Sequence, residues 1–218
     1  MFVRLWMTPN PVTVSRDHTV AEAHALLVAK NIRRIPVVDA DNRLVGIVSR
    51  QDIYNVLPSI VDGSSAGSTS FLATSTKIGD IMTVEPMWVT PTTPLETVAQ
   101  RMRRHKVGGI PVLEDDRLVG IITESDIFAA FMEVLGAGKE GARIEMIISN
   151  KSRDLYDIME IFRQYDISLQ AITVHHGFGE NQRLVTIRVM GDELDDMLDA
   201  LRKSGAQINR IQAADEQI

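Results

Sequence analysis

Spacing of apolar and polar positions divides the first part of the chain into a strand around Val12-Val14, a helix around Val20-Lys30, two short apolar runs at Ile35-Val38 and Leu44-Val48, and a second helix. Asp39-Ala40-Asp41-Asn42 separates the two runs and reads as a polar hairpin connection. The same grammar then returns. Met7-Thr8 recurs as Met82-Thr83, Pro11 as Pro86, Val14 as Val89, and Arg34-Ile35-Pro36-Val37-Val38 as Gly109-Ile110-Pro111-Val112-Leu113, at a constant separation of 75 residues. After one deletion the separation becomes 74, and Arg43-Leu44-Val45-Gly46-Ile47-Val48-Ser49 recurs as Arg117-Leu118-Val119-Gly120-Ile121-Ile122-Thr123, followed by Asp52-Ile53 against Asp126-Ile127. Glu114-Asp115-Asp116 is the shorter counterpart of the first hairpin connection. A unit of this size has one sheet face and few helices to cover it, so the two copies are expected to pack together about a pseudo-twofold axis.

Between the copies, Gly63-Ser64-Ser65-Ala66-Gly67-Ser68-Thr69-Ser70 has the composition of a flexible inserted loop. Beyond the second copy the pattern changes to strand-like Ala142-Ser149, helical Asp154-Tyr165, strand-like Leu169-His175 and Arg183-Met190, helical Glu193-Ser204 and strand-like Gln207-Ile211. That order is βαββαβ. Leu155, Ile158, Met159 and Phe162 share one face of its first helix, and Leu194, Met197, Leu198 and Leu201 one face of its second, which predicts two helices covering one antiparallel sheet.

Composition narrows the function. The 218 residues, 44% of them hydrophobic, supply enough apolar surface for real cores. The absence of cysteine excludes disulfides, thiolate metal sites and cysteine nucleophiles. Met1-Phe2-Val3-Arg4-Leu5-Trp6 lacks the order of a signal peptide, and no apolar run approaches a membrane span, so the expected location is the cytoplasm with no membrane partner. A formal charge of -6 argues against nucleic acid as a partner, because such binding needs many cations to displace phosphate counterions. A small anion in a local basic pocket fits that charge.

The duplicated segment resembles the CBS motif, whose hallmarks are a Met-Thr-x-x-Pro-like opening, an Ile-Pro-Val-Val strand and a Gly-x-x-Thr/Ser-x-x-Asp-Ile ending, all matched in both copies. The remainder resembles an ACT domain, and the combination resembles the acetoin-utilisation protein B family. The resemblance implies an α+β protein, a CBS-domain pair plus a ferredoxin-like βαββαβ ACT domain. The organisation is then CBS motif 1 over 1–57, an insertion over 58–76, CBS motif 2 over 77–136, a hinge over 137–141 and the ACT-like domain over 142–213. It also implies a regulatory homodimer without catalysis or cofactor, which senses an adenine nucleotide (AMP, ADP or ATP) and acts on a protein target.

The candidate residues each carry a local reading as well. Ser49 with Asp52, and Thr123 with Asp126, follow a strand and open a helix, where hydroxyl and carboxylate satisfy orphan amides. The resemblance places the same two aspartates against ribose hydroxyls, and an acceptor-only carboxylate can take two such donors together. Arg33 and Arg34 read locally as exposed charge, and by resemblance as a bidentate grip on phosphate. Gly108-Gly109 replaces that pair in the second copy, with Lys106 and His105 nearby, so the two clefts are expected to differ and the Arg-bearing copy to hold phosphates. Thr13, Val14, Ile35, Pro36, Val89, Thr90, Gly109, Ile110 and Pro111 read as β-core, and by resemblance as the segments that wall the purine. The cluster from Arg101 to Lys106 suits a helix C-terminal dipole.

Gly136-Ala137-Gly138-Lys139-Glu140-Gly141 spells a dinucleotide fingerprint but follows a helix and leads into a strand, the reverse of what a phosphate loop needs. His175-His176 are strand neighbours that point to opposite faces, which does not assemble a metal site. Arg153 stands where amino-acid-binding ACT domains carry glycine, so packing or dimerisation is the expected role of that domain. S-adenosylmethionine or another adenosine derivative is the alternative ligand, and a scaffold with vestigial clefts the alternative function.

Overall fold

A computed structural model of the chain describes residues 1–56, 75–138, 140–149, 152–176 and 181–212, with the side chains of 152–154 outside it. The Gly63-Ser70 insertion and the side chain of Arg153 therefore lie outside the described residues. The described chain divides into two compact units, Met1–Phe128 and Ala129–Ile218.

In the first unit, each copy contributes a helix and a hairpin. The first copy provides β1 (Thr8–Pro9), α1 (Val20–Ala29), β2 (Arg34–Val38), β3 (Leu44–Ser49) and α2 (Arg50–Val56). The second opens with α3 (Ile78–Ile81) and continues with β4 (Thr83–Val84), α4 (Leu95–His105), β5 (Gly109–Glu114), β6 (Arg117–Thr123) and α5 (Glu124–Val134), whose residues from Ala129 onward belong to the second unit. Thr19 and Glu22 form a capping box that starts α1, and Val20, Ala23 and Leu27 bury one stripe of it. Leu95, Val98 and Met102 are the matching stripe of α4. Two-residue turn chemistry closes the second hairpin, where Asp115 and Asp116 both take left-handed backbone at φ 49° and 60°.

The two sheets have orders β2-β3-β4 and β1-β6-β5, so each hairpin receives its third strand from the other copy. Thr8 and Pro9 pair with Ile121 and Gly120, and Thr83 and Val84 pair with Ile47 and Gly46. Val3 and Ile78, both fully buried, lie in the opening segments that hydrogen-bond to the start of the other copy's helix, through Val3 N–H to Thr93 O at 3.0 Å and Ile78 N–H to His18 O at 2.8 Å. The hairpins also meet at Asn42, whose Nδ2 donates to Leu118 O at 3.0 Å while Leu118 N–H donates to Asn42 O at 3.1 Å. Such reciprocity makes neither copy complete alone.

Two glycines permit the strand exchange. A Cβ on Gly120 would lie 2.6 Å from Met7 Sδ and 3.2 Å from Thr8 O, and a Cβ on Gly46 would meet the sulfur of Met82 and lie 3.0 Å from Thr83 O. Each copy's opening methionine thus packs on the other's glycine. Gly120→Val should therefore cost about 1–3 kcal/mol by overpacking. A melt in which this variant unfolds at the wild-type temperature would contradict the exchange.

The second unit contains β7 (Ala142–Ser149), α6 (Ser152–Gln164), β8 (Ser168–His176), β9 (Gln182–Met190), α7 (Leu194–Lys203) and β10 (Gln207–Gln212). Its sheet is antiparallel with order β10-β7-β9-β8, the ferredoxin-like arrangement of a βαββαβ chain. Ile144, Met146 and Ile148 of β7 and Val185, Ile187 and Val189 of β9 alternate into one core with Ile158 and Phe162 of α6 and Met197, Leu198 and Leu201 of α7. Met159 departs from the expected stripe and is 37% exposed. Ile158 and Phe162 take the seam, and Met159, one position round the helix, falls at its flank.

Candidate functional site

The endings of the two copies have matching geometry. Ser49 N–H and Oγ–H both donate to Asp52 Oδ2 at 2.7 Å, and Asp52 N–H returns to Ser49 Oγ at 3.3 Å. Thr123 N–H and Oγ1–H donate to Asp126 Oδ2, again at 2.7 Å. The capping role is real. It consumes one oxygen of each carboxylate, and among the described residues nothing donates to either Oδ1. Both aspartates are half-buried, so an outside donor can reach them.

The strand exchange decides which residues share a cleft. A cavity of about 510 Å³ is lined on one side by Thr8, Asn10, Pro11, Val12 and Asn31 to Arg34 of the first copy, and on the other by Gly108, Ile121, Thr123, Glu124 and Ser125 of the second. Arg33 and Arg34 therefore share a cleft with Thr123 of the other copy, while Ser49 is the register partner of Arg34 on β3. The lining draws on both copies because each opening strand crosses to the other copy's sheet.

Arg34 is half-buried, and burial pulls its pKa below the ordinary arginine value; Glu124 opposes this, Arg33 adds to it and Asp52 opposes it. Among the described residues its guanidinium makes no hydrogen bond or ion pair. It lies instead along Gly108-Gly109. A Cβ on Gly109 would fall 2.6 Å from Arg34 Cδ and 2.7 Å from its Nη1, and one on Gly108 would fall 2.8 Å from its Nη2 and 2.7 Å from Glu124 Oε2. Position 34 faces its own repeat equivalent, so only one of the two can carry a long side chain there. The glycines that mark the second copy's departure are the bed on which the first copy's arginine rests.

The remaining candidates sit differently. Val14, Ile35, Val89 and Ile110 are at most 2% exposed and belong to the core, and Pro36, Pro111 and Gly109 are buried as well. Val14 and Val89 each bridge in parallel to Val37 and Val112. Thr13 and Thr90 are half-buried, and the Thr90 hydroxyl is engaged with Thr92 and Thr93 at 3.1 and 3.0 Å. Lys106 is exposed in a left-handed C-cap of α4 with φ 55°, outside the lining of this cleft. Asn31, its repeat equivalent, has φ 50° and does line it.

Asn10, Asn31, Glu124 and Ser125 were absent from the sequence expectation. Left-handed backbone at Asn10 (φ 46°) and Asn31 is the only hint such asparagines could have given. The segment Gly136 to Gly141 joins helix to strand with positive φ at all three glycines, the reverse polarity of a phosphate loop. His175 and His176 end β8 in exposed positions, and among the described residues no group of three or more His, Asp or Glu could hold a metal ion. No helix of the described residues is long and apolar enough to cross a membrane.

Comparison with known proteins gives this geometry a context. The CBS domain model matches residues 3–59 and 78–133. A CBS domain-containing protein of Dictyostelium discoideum is 31% identical over 62% of this chain and 94% of its own length. Two relatives from Methanocaldococcus jannaschii are longer, and the chain spans 43% of one and 22% of the other. Among solved structures, one described as an acetoin utilization protein from Vibrio cholerae is 35% identical, with TM-score 0.53 over 62% of this chain and 93% of that one. CBSX2 in complex with AMP is 31% identical, with TM-score 0.51 over 61% and 97%. A CBS domain pair in complex with 5'-methylthioadenosine and S-adenosyl-L-methionine is 30% identical, with TM-score 0.51 over 60% and 95%.

Proposed function

Since the chain belongs to the CBS-domain family, we propose that it is a regulatory sensor of an adenine nucleotide, with AMP, ADP or ATP held in the composite cleft between the two copies. The observation that carries the reading is Arg34, a half-buried cation whose guanidinium makes no hydrogen bond among the described residues, at a 510 Å³ cleft that also contains Arg33 and Thr123. A desolvated guanidinium is stabilised by an anion that binds bidentately, which a phosphate does. In this arrangement Asp126 accepts from the ribose diol through its open oxygen. Val12 and Thr13 offer backbone groups to the base, while the buried Ile35 and Ile110 hold the strands in place.

The charge also ranks the ligands. Relatives of known structure contain AMP in one case and 5'-methylthioadenosine with S-adenosyl-L-methionine in another. S-adenosylmethionine carries a sulfonium cation, which two arginines repel, whereas AMP carries the complementary charge. AMP is therefore expected to bind at least about tenfold more tightly than S-adenosylmethionine. Calorimetry with both ligands tests this; no heat from any adenosine compound ends the reading, and a preference for S-adenosylmethionine ends the assignment of phosphate to Arg34.

Regulation follows only if the ligand favours one arrangement of the pair over another, since equal affinity for both shifts nothing. We read the second unit as an ACT-like domain from its βαββαβ order and sheet topology, with dimer formation as its role, and the protein as a cytoplasmic homodimer that acts on a protein target.

A further inference from the structure

The unit Ala129–Ile218 has a second cavity, of about 380 Å³, on the sheet face opposite α6 and α7. Alternation along the strands produces it. Ile144, Val185, Ile187 and Val189 turn into the core, which sends Arg143, Thr186 and Arg188 to the other face. Arg143 and Arg188 are direct register partners on β7 and β9, an arrangement in which like charges repel. Arg143 pairs with Glu145, Oε1 lying 2.6 Å from Nη2, and Arg188 is buried, 8% exposed.

A buried hydroxyl stands beside these cations. Thr173 on β8, opposite Thr186, has its Oγ1 shielded from solvent with no hydrogen-bond partner among the described residues. Leaving such a group unpaired costs stability, and an incoming acceptor removes the cost. The chain after α5 then closes over this end of the sheet. A Cβ on Gly136, whose φ is +65°, would lie 3.1 Å from Ala171 Cβ and 3.2 Å from Arg188 Cδ. The wall facing the arginines is apolar. Phe131 and Met132 contribute to it while 55% and 38% exposed.

Cations and an unpaired hydroxyl on one wall, with exposed apolar side chains on the other, define an amphiphilic complement. We propose that this cavity binds a small organic carboxylate with an apolar body, its carboxylate directed at Arg143, Arg188 and Thr173 and its body against Phe131 and Met132. A carboxylate suits the site better than inorganic phosphate because phosphate leaves the apolar wall wet. The site is separate from the nucleotide cleft and does not depend on that assignment.

The test uses the full chain, titrated with phenylacetate, benzoate and 4-methylpentanoate, with phenylacetamide and inorganic phosphate as controls, and followed by amide chemical shifts. Saturable shifts at Ala171, Thr173 and Thr186 are expected with at least one carboxylate, and about tenfold weaker binding for phenylacetamide than for phenylacetate if the latter binds. Thr173→Val keeps the shape, removes the unpaired hydroxyl and should weaken the bound carboxylate about tenfold without lowering the melting temperature. Arg143→Gln, at a partly exposed position, provides a second variant with the same expected direction. Three carboxylates without a saturable shift, an amide that binds as tightly as its acid, or unchanged affinity in both variants would each overturn the proposal.

Discussion

Asp126→Ala is expected to weaken AMP binding by about 10–100-fold, while Asp52→Ala changes it far less. The difference comes from the strand exchange. Asp126 follows Thr123, which lines the cleft that contains Arg33 and Arg34, whereas Asp52 follows Ser49, which is not in that lining, and acts on Arg34 through its charge. Each hydrogen bond from a ribose hydroxyl to a charged acceptor contributes about 1.5–3 kcal/mol, and one to two orders of magnitude in affinity corresponds to about one such bond. Both substitutions remove the same cap, worth about 1 kcal/mol, so both should lower the melting temperature by similar amounts. Stability therefore does not separate them, and affinity does. Equal losses of affinity in the two variants would show that the cleft is not built from halves of both copies.

Much of this was legible in the chain. Duplication, the hairpins, the helices and the βαββαβ order all follow from periodicity, because burial on one face forces period two in strands and near-period three and a half in helices. Thr123 with Asp126 and Ser49 with Asp52 were legible as pairs because a cap is a local interaction between residues three apart. What remained hidden is long-range. A repeat reads the same whether its first strand stays with its own hairpin or crosses to the other, so the cleft lined by both Arg34 and Thr123 left no trace in the sequence. Glu124 was hidden for the same reason, since it gains meaning only beside Arg34, and its repeat equivalent is Arg50, of opposite charge. Gly46 and Gly120 were visible as repeated glycines, but the methionines that require them come from the other copy.

Restoring repeat symmetry should damage the protein. Gly109→Arg introduces a side chain where Arg34 already lies, at a position whose Cβ would sit 2.6 Å from Arg34 Cδ and 2.7 Å from Nη1. Overpacking of this kind costs about 1–3 kcal/mol, and two guanidinium groups in one half-buried space add repulsion. The fold then offers its own rescue. Because positions 34 and 109 are repeat equivalents that face one another, Arg34→Gly in the same chain returns the missing space, and the double variant should melt close to the wild type. That restoration is a coupling of about 1–3 kcal/mol in a double-mutant cycle, the size seen for residues in direct contact. The ligand should move as well. With its cation now projecting from the second copy, the double variant should depend on Asp52 for AMP affinity more than on Asp126. A single Gly109→Arg variant as stable as the wild type, or one that Arg34→Gly fails to relieve, would mean that the glycine pair is not the seat of that arginine, and the case for one phosphate-gripping cleft would lose its physical basis.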